Sequence, residues 1–278
     1  MLGALIIVFR EVIEAGLIVG IALAVTRGVR GSRQWIAAGV LVGVVGALLV
    51  AGFAEQLSAA MAGRGQELFN ASVLGLAVAM LAWHNIWMAR HGRELSRELS
   101  DVGRAVASGD KTFLALAVVV GVAVLREGSE VALFLYGILI SGESSFDVLA
   151  GGFAGLGLGA LVSFLTFYGL VIIPPRRLFA TTSVLVTLLA GGLAAQSAAF
   201  LQQAGVVTAL SWTLWDTSGI LPDNGLFGRV LHTLIGYSDQ PSALQGVAYL
   251  GTILTIVIAT RLAAPAPRRV TAMSAPAE

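Results

Sequence analysis

Phe9-Arg10-Glu11-Val12-Ile13-Glu14-Ala15 lies inside an apolar run from about Ala4 to Val25. A second stretch, Leu125-Arg126-Glu127-Gly128-Ser129-Glu130-Val131, lies inside the apolar run Phe113 to Ile140. Both read Arg-Glu-x-x-Glu. Each puts one cation and two carboxylates where the flanking residues are those of a lipid-spanning helix. A charge at the centre of such a helix costs about 3 kcal/mol on insertion scales. Three charges in one span, met twice, mark a function.

The rest of the chain is built to surround these stretches with lipid. Of its 278 residues, 57% are hydrophobic and 12% charged, and the mean hydropathy is +0.88. A soluble chain carries about 25% charged residues. The class is therefore an all-α integral membrane protein that crosses the bilayer several times. There is no cysteine, which removes disulfides, thiolate metal sites and cysteine nucleophiles. The net charge of +1 gives no sign of a nucleic-acid partner, because the basic residues fall in short loops. A cleavable leader is not expected: there is no basic n-region, and Arg10, Glu11 and Glu14 interrupt the would-be apolar core.

At roughly 20 apolar residues per crossing, the sequence predicts seven transmembrane helices, at about 4–25, 36–54, 70–89, 113–140, 148–173, 179–200 and 244–262. They form one domain, 1–263, followed by a Pro- and Ala-rich disordered cytoplasmic tail, 264–278. Lysine and arginine set the orientation. With the N-terminus outside and the C-terminus inside, thirteen of the seventeen basic residues face the cytoplasm and only Arg64 and Arg229 face out, Arg10 and Arg126 being intramembrane. The motif recurs 116 residues on, in a helix of opposite direction. We read helices one to three and four to six as an inverted repeat with one helix added, an architecture that places a substrate site near the midplane. Gly16-x-x-x-Gly20, Gly39-x-x-x-Gly43 and Gly155-x-x-x-Gly159 have the spacing of close helix contacts. Residues 90–111 read as a solvated cytoplasmic helix with Arg90–Glu94 and Arg97–Asp101 pairs. Residues 201–243 read as a long outer loop whose Trp212, Trp215, Phe227 and Tyr237 suit an interfacial segment or one folding back over a pore mouth.

On a helix, Glu11 and Glu14 are three apart, Arg10 and Glu14 four apart, so all share one face. Arg126, Glu127 and Glu130 repeat this. If the two helices meet, four carboxylates converge, with Arg10 and Arg126 offsetting half their charge. Carboxylates are hard ligands for hard cations, and a paired arginine can fix a glutamate rotamer. A simple buried ion pair explains one arginine and one glutamate in each copy, but not the second glutamate. A metal-free proton relay is another use of such residues.

The two copies resemble the Arg-Glu-Gly-Leu-Glu motifs of the high-affinity ferric iron permeases, the oxidase-dependent iron transporter family in its bacterial ferrous-iron-uptake branch. The resemblance covers nearly the whole chain, including Leu214-Trp215-Asp216-Thr217-Ser218 and Leu231-His232-Thr233-Leu234-Ile235-Gly236-Tyr237. Val12 and Ile13 replace Gly-Leu in the first copy, and Ser129 replaces Leu in the second, while every charged position is kept. The resemblance implies ferric iron as the transported substrate, with Glu11, Glu14, Glu127 and Glu130 as metal ligands and Arg10 and Arg126 as their charge partners. It also implies a multi-pass location in the cell inner (plasma) membrane. A separate periplasmic or extracellular protein would oxidise or deliver the iron.

Other polar residues are candidates for a secondary or access role: Glu55, Glu143, Asp147, Asp216, Asp223 and Asp239 on the outer side, and His84 near the inner end of the third span. Outer acids draw cations to a pathway. Glu67 shares that side as an ordinary loop acid. Asp216 equally suits a helix N-cap. Gln196, Gln202 and Gln203 are candidate pore-lining groups. No redox cofactor is expected, since His84, His91 and His232 are scattered and cysteine is absent. The alternatives are a proton-coupled transporter of a divalent metal (ferrous iron, manganese or lead), an intramembrane hydrolase, which lacks any nucleophile–base constellation, and a structural scaffold.

Overall fold

A computed structural model of the chain describes residues 1–60, 65–169, 175–223 and 225–263. They form eight α-helices: α1 Leu2–Val25, α2 Ser32–Ala60, α3 Gln66–Ser108, α4 Phe113–Ile140, α5 Ser145–Phe167, α6 Pro175–Gln203, α7 Leu226–Ile235 and α8 Ala243–Ala263. Among the described residues the sole strand-like pairing is Thr213 with Ser242. Polar side chains start two of the helices. Thr112 accepts from the Ala115 amide at the head of α4, and Ser144 from the Asp147 amide at the head of α5.

Among the described residues five helices are long and apolar enough to cross a membrane: α2, the first half of α3, α5, α6 and α8. α1 and α4 have the length, 24 and 28 residues, and differ by the three charges each carries at mid-helix. α2 exposes Leu41, Val42, Leu48, Leu49 and Phe53, and α8 exposes Leu250, Leu254 and Leu262. Belts of this kind are an aggregation liability in water and are at home in lipid.

Helix pairing is set by glycine. α2 packs along α4, and α1 along α5. A Cβ at Gly39 would stand 2.5 Å from the Ala117 carbonyl oxygen, and one at Gly155 would stand 2.5 Å from that of Leu5. Gly43 and Gly159 make the next contact in each pair, against Val124 and Val12. Gly16 likewise abuts Ser163 of α5. All three spaced glycine pairs thus lie at helix contacts, Gly20 loosely. α3 packs on α6, and α8 on α6. The start of α1 meets the end of α4, where the Met1 amine is 2.8 Å from Glu143 Oε2, so α1 and α4 run in opposite directions.

Two buried apolar clusters bracket the motifs. One holds Ala4, Ile7, Leu74, Leu81, Phe134 and Ile138. The other holds Ala22, Ile36, Val106, Leu116, Val120 and Val124.

Several sequence expectations change. Hydropathy ends the third span at residue 89, but the hydrogen-bonded helix continues to Ser108, because Arg, Glu, Leu and Ala are strong helix formers whether or not lipid surrounds them. The segment expected as a solvated helix is helical, and it is the second half of α3. Its Asp101 pairs with Arg104, while the Arg90 and Arg97 side chains lie outside the described residues. The fifth span ends at Phe167 rather than 173, and residues 170–173 are outside the described set, as is the tail 264–278. The 201–243 segment contains the helix α7, ending on Gly236 at φ +69°, whose backbone packs on Gly192 of α6. Asp216 caps no helix: it accepts from the Ser218 amide and hydroxyl in a local turn.

Candidate metal centre

α1 and α4 cross with their Arg-Glu-x-x-Glu faces toward each other and toward α3. Side chains of Arg10, Glu11, Glu14, Glu127 and Glu130 are all buried, Glu11 to 1% exposure. In each helix the arginine Nε bonds the glutamate four residues on, Arg10 to Glu14 Oε1 at 3.0 Å and Arg126 to Glu130 Oε1 at 3.1 Å. One turn of helix brings these ends together. The paired glutamates are held, and the other two are left: both Glu11 oxygens and Glu127 Oε2 are buried with no hydrogen-bond partner among the described residues. Arg10 Nη1 approaches Glu11 Oε1 only to 3.8 Å.

The third contributor is His84 of α3. Its Nδ1 touches Glu130 Oε2, and its Nε2 lies 3.4 Å from Glu14 Oε2. Asn85 anchors this part of α3 to α6. Its Nδ2 donates to Thr187 Oγ1 at 3.0 Å, and its Oδ1 accepts from Ser183 Oγ at 2.7 Å. One ligand atom each from Glu11, His84, Glu127 and Glu130 falls within 4.8 Å of the others. Buried carboxylates gathered from two helices, with the His84 imidazole of a third between Glu14 and Glu130, form a nest that can hold a cation. Glu14 stands at the edge of this group, between Arg10 and His84.

The sequence thus brings Glu11, Glu14, Glu127, Glu130, Arg10 and Arg126 into one place. His84, a secondary candidate in the sequence, stands beside these carboxylates, and the sequence does not signal Trp87. That indole lies under the Arg126 guanidinium, 4.3 Å from centroid to Cζ, a cation–π contact that also orients the Arg126–Glu130 pair.

The Iron permease FTR1 family matches residues 1–266. The chain belongs to that family. It is 30% identical over 272 residues to the ferrous iron permease EfeU of Escherichia coli O6:H1, covering 95% of this chain and 98% of the relative. It is 29% identical over 262 residues to that of Shigella sonnei, covering 92% and 94%, and 29% identical over 258 residues to that of Yersinia pestis, covering 91% and 90%. No solved structure matches. Family membership and the apolar helices make it an integral membrane protein.

The remaining candidates of this FTR1-family chain lie away from the carboxylate nest. Glu143 holds the Met1 amine. Asp147 accepts from Ser144 Oγ at 2.9 Å in the first turn of α5. Asp223 and Asp239 grip each other's backbone, Asp223 N to Asp239 Oδ2 at 3.1 Å and Asp239 N to Asp223 Oδ1 at 3.0 Å. Burial and the Asp239 charge push the Asp223 carboxyl above its ordinary range. The Ser218 donors hold Asp216 below its own. These acids organise the α6–α7–α8 connection. Gln202 does the same: its Oε1 accepts from Ser242 Oγ at 2.8 Å. Gln203 and Glu67 are exposed. The Glu55 side chain lies outside the described residues.

Proposed function

We propose that the chain is an inner-membrane permease that carries iron into the cytoplasm through the Glu11–His84–Glu127–Glu130 site. The observation that carries this is the convergence of four ligand atoms within 4.8 Å inside a helix bundle with lipid-facing apolar belts. Four glutamates and two arginines leave a formal charge of −2, which a cation neutralises. The names of the EfeU relatives support iron as that cation.

In this reading residues 1–263 are one seven-helix domain with the N-terminus outside. α1 and α4 cross the membrane despite their charges, because the four carboxylates and Arg10 are buried between helices and not in lipid. An inverted repeat is supported by the pairing of α1 with α5 and of α4 with α2. Gly39 and Gly155, like Gly43 and Gly159, are separated by the same 116 residues as Arg10 and Arg126. The two apolar clusters then lie outward and inward of the site, and passage requires each to open in turn.

Ferric iron, implied by the motif resemblance, suits the three hard carboxylates. Ferrous iron is favoured by two observations: the fourth donor is an imidazole, a borderline ligand, and a divalent ion balances the −2 charge. A separate iron-oxidising or iron-delivering protein belongs to the ferric reading.

Iron uptake into proteoliposomes tests the proposal. Glu11→Gln, Glu127→Gln and Glu130→Gln should each abolish uptake at normal expression, with Glu14→Gln impaired; wild-type rates in all four would overturn it. Supplying ferrous iron with ascorbate, or ferric citrate without reductant, separates the oxidation states. Manganese and lead in the same assay test the divalent alternative.

A further inference from the structure

The bundle has a second polar pocket at the end where α1 begins and α4 stops. A cavity of about 20 Å3 lies among Ile138 and Ser141 of α4 and its end, Glu143, Gln196 of α6, and His232 of α7. By the same measure a single water needs roughly 10–15 Å3, so the cavity takes one water or one ion. Its polar lining is one carboxylate, whose Oε2 also holds the Met1 amine at 2.8 Å, one imidazole, one amide and one hydroxyl.

His232 is prepared for ligation. Its Nδ1 is 2.7 Å from the Tyr237 carbonyl oxygen. A carbonyl only accepts, so Nδ1 carries the proton and the lone pair of the neutral ring sits on Nε2. A backbone carbonyl holding the far nitrogen is the usual support of a metal-ligating histidine. The α7 terminus that carries the ring is fixed by the contact of Gly236 with Gly192. The pocket is separate from the carboxylate nest. Ile138 is eight residues beyond Glu130, about 12 Å along the helix. Between them lies the apolar cluster of Ile7, Leu74, Phe134 and Ile138, each at most 2% exposed.

We propose that Glu143 and His232, with Gln196 and Ser141, form a second cation site in which a divalent first-row ion waits outside the apolar seal before it reaches the central site. Mixed imidazole and oxygen donors select such an ion over calcium or magnesium. The cavity volume requires the ion to arrive stripped of most of its water. That the waiting ion is the transported one rests on the proposed permease function; the existence of the site does not.

The test is equilibrium binding of ferrous iron, kept reduced under anaerobic conditions, to the full chain in lipid nanodiscs. The wild type should bind two ions per chain. His232→Asn keeps a donor for the Tyr237 carbonyl and removes Nε2, so it and Glu143→Gln should each bind one. Glu127→Gln should also bind one, and Glu127→Gln with His232→Asn none. In transport, His232→Asn should raise KM roughly tenfold with kcat unchanged. Two ions still bound by His232→Asn, or a single wild-type ion lost only in Glu127→Gln, would overturn the outer site and leave the central one standing. A single wild-type ion lost only in His232→Asn would do the reverse.

Discussion

Arg10 and Arg126 hold equivalent places in their helices but not equivalent surroundings. The Arg10 side chain is 3% exposed and serves two buried glutamates, whereas Arg126 is 34% exposed and rests on Trp87. Removing one partner of a buried pair costs about 3–5 kcal/mol because the other charge is stranded. Arg10→Ala should therefore lower the unfolding midpoint in detergent far more than Arg126→Ala, whose partner keeps some water. Equal losses would mean that burial does not set the difference. His84 is the candidate whose partners spacing alone cannot find. A histidine between Trp83 and Trp87 gives no sign of which carboxylates it meets, because that depends on α3 continuing past the end of its apolar stretch and on Asn85 binding α6. As the nitrogen donor, His84 should favour iron over manganese. His84→Asp should make manganese a stronger competitor of iron uptake; unchanged competition would take the imidazole out of the coordination sphere.

Among the helices, α4 was legible to the residue at both ends, since Thr112 starts it and its apolar run is unbroken apart from the motif. α3 was not, because hydropathy reports lipid and not hydrogen bonding. α7 was hidden by its ten-residue length inside a polar connection, though Gly225 and Gly236 flank it. The glycine contacts were readable as spacing but not as partners. Which helix each approaches is a tertiary fact. They can be tested as a set. Gly39→Ala and Gly155→Ala drive a Cβ into a backbone carbonyl and should each cost about 1–3 kcal/mol, the usual price of overpacking. Gly52→Ala and Gly157→Ala, with nothing within 4 Å, should be neutral or slightly stabilising, since alanine suits a helix better. Chemical unfolding of the four variants in one detergent decides it. Similar losses in both pairs would mean that the helices can slide to make room.

For the whole molecule the question is whether α4 crosses the bilayer, and the charge pattern gives an answer that can be checked. Counting only the apolar spans, two crossings (α5 and α6) separate Lys111 from Gly219, so both would face the same side. Counting α4 as well, three crossings separate them, and they face opposite sides. Burial makes the second count affordable to the bilayer: Glu127 and Glu130 are 4% and 9% exposed, so the carboxylates of α4 are solvated by α1 and α3 and not by lipid, while the half-buried Arg126 rests on Trp87 and Glu130. The chain contains no cysteine, so single cysteines report without background. Lys111 is exposed, and Gly219 has open space around it. A membrane-impermeant maleimide added to intact spheroplasts should label Gly219→Cys at once and Lys111→Cys only after permeabilisation. Labelling of both from outside would remove α4 from the membrane, and with it the meeting of the two motifs. Labelling of Lys111→Cys alone would keep α4 as a span and turn the permease over.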